Sequence, residues 1–244
     1  MISEEKIFSM MDLAKSAAIS AGNFLIKRKS QKGEVHSEVG RDIKLKIDRE
    51  AESLIRDILK SSNIDIHGEE FGIDTPDAKL KWVVDPLDGT SNYFRDIDKC
   101  CVSIGLIEDN EVLLGVIYDF NSKEMFCSSK NNGAYLNDKK INVSDISEKS
   151  KASLTTGFPA SITIKESETF LKDLDSWKKI RMFGSAALSC AYVASGRCDC
   201  YLEKGVYIWD IAAGISLVQE AGGTANYEEI GAGRYEVRFS NGIL

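Results

Sequence analysis

Histidine and proline are scarce in this chain: its 244 residues hold two His and three Pro. With only His36 and His67 available, a histidine-based triad has little material, and structural zinc would need those residues beside Cys198 and Cys200, from which they are distant in sequence. Familiar catalytic strings are missing as well. There is no G-x-S-x-G elbow, no G-x-x-x-x-G-K-[ST] loop and no G-x-G-x-x-G after a strand, since Gly231-Ala232-Gly233 lacks the third glycine. Long hydrophobic runs are absent too: the longest charge-free stretch, Met182 to Gly196, falls short of the ~20 residues of a membrane span. Glu4 and Glu5 stand where a signal peptide carries basic residues, so the expectation is a cytoplasmic protein without a membrane partner. Positive charge is in the minority, 31 Lys plus Arg against 38 Asp plus Glu. The formal charge of −7 repels phosphate backbones, and nucleic acid is not an expected partner.

What remains is an ordinary globular composition, 43% hydrophobic and 28% charged, with length for one large domain or two small ones. Six cysteines (Cys100, Cys101, Cys127, Cys190, Cys198 and Cys200) lie in apolar runs without the spacing of a secreted scaffold, and they read as reduced, packed thiols. From Ser3, an N-cap, apolar residues recur at Ile7, Met11, Ala14, Ala18, Ala21 and Leu25, which predicts a long amphipathic helix. A second helix follows Asp48, with Ala51, Leu54, Ile55, Ile58 and Leu59 as its inner stripe. The two should cover one sheet face. Strands are expected at Ile64 to Ile66, Trp82 to Val84, Val102 to Leu106, Val112 to Tyr118, Met125 to Cys127 and Ala134 to Leu136, mostly as an antiparallel meander. Beyond a polar seam at Ser144 to Lys151, strands at Leu154 to Thr156, Ile180 to Phe183, Cys200 to Glu203 and Tyr235 to Phe239 alternate with helices near Lys165 to Trp177, Ser185 to Ala194 and Asp210 to Ala221.

The most informative string is Trp82-Val83-Val84-Asp85-Pro86-Leu87-Asp88-Gly89-Thr90, where an apolar strand runs into two carboxylates three residues apart. Alone, such a string forms a solvated double turn. Here Pro86 fixes φ and Gly89 permits a tight bend, so Asp85 and Asp88 can converge with the Leu87 carbonyl between them. Two carboxylates and a carbonyl make an oxygen cage suited to Mg²⁺, and Gly89 and Thr90 offer N–H groups to an anion. Upstream, Gly68-Glu69-Glu70 closes a strand with acids. Downstream, Asp210 precedes an apolar helix as an N-cap.

The three acidic stations, with Ser91-Asn92-Tyr93 after the aspartates and Trp209 before Asp210, resemble the inositol monophosphatase family of Mg²⁺-dependent phosphatases, from the first helix through Gly222-Gly223. The resemblance implies an α/β fold, an alternating αβαβα sandwich with a mixed or antiparallel N-terminal sheet and a smaller second sheet. It implies a single catalytic unit over 1–244, with subdomains of about 1–145 and 146–244. It further implies a lithium-sensitive, homodimeric phosphomonoesterase that binds two or three Mg²⁺ and hydrolyses an inositol, sugar or polyol monophosphate by direct attack of a metal-activated water. By similarity Glu69, Asp85 and the Leu87 carbonyl hold one ion, and Asp85, Asp88 and Asp210 a second. Thr90 and Asp48 resemble the pair that activates water, with Glu70 in support. Gly184, Ser185, Ala186 and Glu203 match segments that, with Asp88, Gly89 and Thr90, meet the substrate. Leu45 stands where the family carries threonine, and Ser37 where lysine is common. Rival expectations are a 3'(2'),5'-bisphosphate nucleotidase or fructose-1,6-bisphosphatase of the same fold, a nucleotide substrate included, and a catalytically silent Mg²⁺-binding interaction module. Asn92-Tyr93-Phe94 and Asn132 to Asn137 look more like the monophosphatase branch.

Overall fold

A computed structural model describes residues 3–29, 35–39, 42–158, 168, 170–172 and 174–244, the backbone alone over 35–39 and 42–45. Helix α1 (Glu4–Arg28) is capped by the Ser3 hydroxyl, which accepts from the Lys6 N–H, and it buries Ile7, Met11, Ala14, Ala18, Ala21 and Leu25. After the short hairpin β1 (Val35–Val39) and β2 (Asp42–Leu45), helix α2 (Lys46–Leu59) places Asp48 in its first turn. Its inner stripe corrects the sequence expectation. Leu54 is exposed at 37%, whereas Glu52 is fully buried beside Ala51, Ile55 and Leu59.

The strands β3 (Asp65–Gly68), β4 (Gly72–Ile73), β5 (Leu80–Asp88), β6 (Cys101–Glu108), β7 (Glu111–Asp119), β8 (Glu124–Ser129), β9 (Gly133–Leu136) and β10 (Lys139–Ile141) build one mixed sheet in the order 10-9-8-7-6-5-3-4. Every pair in it is antiparallel except β3 with β5. The short helix α3 (Thr90–Phe94) leaves the end of β5. The second sheet comprises β11 (Ser153–Thr156), β12 (Lys179–Arg181), β13 (Cys200–Tyr207), β14 (Thr224–Gly231) and β15 (Arg234–Ser240), in the order 12-11-13-15-14. Between the sheets lie α4 (Ala186–Ala194) and α5 (Ile208–Glu220). The helix expected near Lys165 to Trp177 lies largely outside the described residues. Trp177 itself packs on Ala152, Leu154 and Cys200 at the outer face of the second sheet.

The core follows these layers. Helices α1 and α2 meet one face of the large sheet through Trp82, Val84, Ile104 and Val116. The opposite face, with Val83, Ile117 and Phe126, closes on α4 and α5, and these close in turn on Tyr201, Val237 and Phe239 of the small sheet. Helix α5 comes unusually near the large sheet because Gly105 and Gly115 face each other across β6 and β7. A Cβ on Gly115 would stand 2.3 Å from the Ala213 carbonyl oxygen, and one on Gly105 3.0 Å from the Ala212 Cβ. All six cysteines are free and buried, as expected from their apolar surroundings. Among the described residues no helix is long and apolar enough to cross a membrane.

Candidate active site

The apolar stretch Trp82 to Val84 carries β5 through the core, and the strand then breaks register. Asp85 pairs with Ser103 and Asp88 with Cys101, so three steps along β5 oppose two along β6. One extra residue is a bulge, and Pro86, which has no N–H to give to a ladder, lies within it. The bulge removes the strand alternation that would send side chains three apart to opposite faces. Asp85 accepts from the Leu87 N–H at 2.9 Å, and the Thr90 hydroxyl donates to the Leu87 carbonyl at 3.0 Å. Gly89 supplies the turn with φ of +90°, which a side chain would strain.

Asp88 is held by the other half of the molecule. The Ser185 hydroxyl and the Ala187 N–H donate to its Oδ2, at 2.5 and 2.8 Å, and the Ala186 N–H to Oδ1 at 3.3 Å. A carboxylate at the start of α4 satisfies N–H groups that have no partner within the helix. Ser185, the N-cap of α4, also accepts from the Leu188 N–H, so Ser185 and Ala186, expected at the substrate, bind Asp88 here. Asn92 supports the same junction, its amide donating to the carbonyls of Lys99 and Phe183 at 2.7 Å each.

Asp210 approaches from α5, and its position corrects the N-cap expectation. Tyr207 is the N-cap, and Asp210, three residues on, accepts from the Tyr207 N–H at 2.7 Å. Beside it Trp209 stacks on Tyr207 with ring centres 4.5 Å apart and meets the edge of His67 at 5.5 Å. Burial lowers the pKa of that histidine, helped by Lys81 and Arg56.

The acids feel one another. Burial pushes the Asp85 carboxyl well above its ordinary value, and the charges of Glu69, Asp88 and Asp210 push it further. Asp210 moves the same way, first through burial and then through Asp88 and Glu69. Asp88 is raised by burial against the opposing hydrogen bonds of Ser185, Ala187 and Ala186. Glu203 is pushed up to about 7 by burial, although the Tyr201 hydroxyl donates to it at 2.8 Å and favours its charged form. Asp210 and Glu203 retain some accessible surface while lying deep among protein atoms, as groups on the floor of a cleft do. Asp48, 2% exposed, sits in the first turn of α2, and its charge acts on Tyr93 of α3. The Glu70 N–H is given to Glu52. Ser37 and Leu45 lie outside the described side chains.

Among the described residues no three His, Cys, Asp or Glu side chains stand close enough to close a cage about one ion. The chemistry of the donors nevertheless fits Mg²⁺: all are hard oxygens, and their mutual repulsion calls for positive charge. A cavity of about 400 Å³, whose lining includes Arg56, Lys60, Phe71 and Asp74, is bordered by none of these acids. Two contributors escaped sequence reading. Tyr201 is readable in hindsight, two residues before Glu203 and on the same strand face. The Ser185 and Ala187 contacts with Asp88 span almost 100 residues and leave no local signal.

Fold and cleft together define a layered α/β protein with carboxylates gathered where strands end and helices begin. The chain belongs to the inositol monophosphatase family, whose model matches residues 8–227. It is 41% identical over 217 residues to the Nus factor SuhB of Xylella fastidiosa, covering 85% of this chain and 78% of that protein. It is 36% identical over 224 residues to an inositol-1-monophosphatase of Synechocystis, covering 87% and 77%. The solved inositol monophosphatase of Anabaena superposes with a TM-score of 0.82 at 33% identity, over 98% of this chain and 92% of that one.

Proposed function

We propose that the chain is a Mg²⁺-dependent phosphomonoesterase acting on inositol monophosphate or a related sugar or polyol monophosphate. The observation that carries this reading is the gathering of Glu69, Asp85, Asp88 and Asp210, each near enough to raise another's pKa. Glu69, Asp85, the Leu87 carbonyl, Asp88 and Asp210 would hold the metal. When bound, Mg²⁺ neutralises these acids, admits a phosphate dianion, acidifies water and stabilises a departing alkoxide. The chain's own residues do the rest. The Thr90 hydroxyl orients the attacking water through its lone pairs, and Asp48 takes the water's proton. The N–H groups after Gly89 hold phosphate oxygens, and Glu203 accepts hydrogen bonds from the leaving polyol. Attack is direct and in line, without a phosphoenzyme. The family resemblance also carries the expectation of a homodimer, which sedimentation tests.

The name Nus factor, borne by a relative at 41% identity, favours a second reading as an interaction protein that keeps Mg²⁺ without turnover. Phosphate release separates the two, measured across inositol, sugar and nucleotide mono- and bisphosphates with Mg²⁺ and with EDTA. The proposal expects monophosphates to lead and chelator to abolish activity. A preference for nucleotide bisphosphates moves the chain to a nucleotidase role, full activity in EDTA refutes the mechanism, and no release on any substrate supports the second reading.

A further inference from the structure

Glu69 lies in the turn between β3 and β4, where its own N–H donates to the Val84 carbonyl of β5 at 3.1 Å. The residues on either side of it meet a buried carboxylate on α2. Glu52 is 0% exposed, and its Oε2 accepts from the Glu70 N–H at 2.7 Å, with the Phe71 N–H also turned toward the carboxylate. Gly68 lies directly against it: a Cβ there would stand 1.9 Å from the Glu52 Oε1. The carboxylate therefore fills the space a side chain at 68 would need, and its contacts bracket Glu69 from both sides.

Arg56, one helical turn on, holds Glu52 in turn. Its Nε donates to the Glu52 Oε1 at 2.7 Å, Nη1 to Asp74 at 2.7 Å and Nη2 to the Gly72 carbonyl at 2.8 Å. Asp74 closes the circuit by accepting from the Ile66 N–H at 2.9 Å, within the strand that leads into the loop. Every backbone bond in this set lands between Ile66 and Asp74, and Glu69 is the one candidate metal ligand in that interval. Removing the restraint would let Glu69 sample other positions, and binding through it would then cost the entropy of ordering the loop.

We infer that Glu52, clamped by Arg56, is a positioning residue for metal binding: it presets the Gly68-to-Phe71 backbone so that Glu69 faces the cleft. The inference rests on the proposed role of Glu69 as a ligand. The test uses the substrate-free chain and Mn²⁺ as the probe, with free Mn²⁺ read by electron paramagnetic resonance and Mg²⁺ as competitor. Glu52→Gln keeps size and loses charge; Gly68→Ala pushes the carboxylate away while leaving it charged. Both are expected to weaken Mn²⁺ binding about 10-fold, and Gly68→Ala keeps the test alive if the first variant does not fold. Leu59→Ala, a buried change on the same helix, is expected to lower Tm without altering Mn²⁺ affinity. Equal weakening in Leu59→Ala would reduce the effect to general loosening and overturn the inference. Unchanged binding in both loop variants, with weakened binding in Glu69→Gln, would overturn it too. Unchanged binding in Glu69→Gln would instead remove the ligand role on which it rests.

Discussion

Two groups of charged residues draw on the stretch from Ile66 to Asp74, and they are built on opposite plans. Behind α2, Glu52, Arg56 and Asp74 alternate in sign, and each has a partner at 2.7 Å. In the cleft, Glu69, Asp85, Asp88 and Asp210 share one sign, and several stand well above the ordinary carboxylate range. Burial raises the Glu52 carboxyl too, but there Arg56 and the Glu70 and Phe71 N–H groups pull it back, whereas Asp85 and Asp210 meet further negative charge.

The largest effect should come from breaking the paired group. Arg56→Met leaves Glu52 charged and buried without its cation, and should cost about 3 kcal/mol, the low end for a buried pair because Arg56 is 14% exposed. Urea unfolding measures it, and a change below about 1 kcal/mol would equate the pair with a surface salt bridge. Next comes Asp85→Asn. It should lower kcat at least ~10²-fold, equivalent to about 2.7 kcal/mol, yet raise Tm in chelator at neutral pH. The sign follows from the raised carboxyl: its folded form prefers the proton, so its ionisation costs stability above the ordinary carboxylate range and nothing in acid. A Tm that falls at neutral pH would contradict the strain.

The smallest catalytic effect sharpens the contrast within the cleft. Glu203, pushed up to about 7, contributes fully below its unfolded pKa near 4.5, and the contribution is lost as pH rises toward 7. Glu203→Gln should therefore match the parent in stability near pH 4.5 and exceed it by on the order of 3 kcal/mol at pH 8. At pH 8 it should also lower kcat/KM about 10-fold for a polyol phosphate and leave a plain aryl phosphate unchanged. Equal losses on both substrates would place Glu203 with the metal ligands or the scaffold.

Much of this was legible wherever the signal is local. Pro86 and Gly89 announce the break in β5, and the acids beside them follow from the string itself. Asp210 was found but misplaced by three positions, because Tyr207 ends the extended strand β13 and takes the N-cap while Asp210 answers from within the helix. Glu52 was hidden because an acid four residues before an arginine looks like an exposed helix pair, and only the folded loop shows what its oxygens hold. Strand β14 carries no apolar alternation, since almost all of it is exposed, and periodicity could not reveal it. The partners of Asp88 are set by how the two sheets meet, which no short window contains.

The glycine pair between β6 and β7 has a consequence for how such a chain can vary. A methyl at Gly105 or Gly115 would press on α5, hardest from Gly115 where it meets the Ala213 backbone, and the helix would have to shift. Asp210 rides on the first turn of that helix, so the shift would carry one acid away from the other three. Selection for abundance and selection for turnover would then disagree at these two positions. Libraries screened by phosphate release would therefore reject alanine at Gly105 and Gly115 more strictly than libraries screened by expression, marking as functional two residues that carry no side chain.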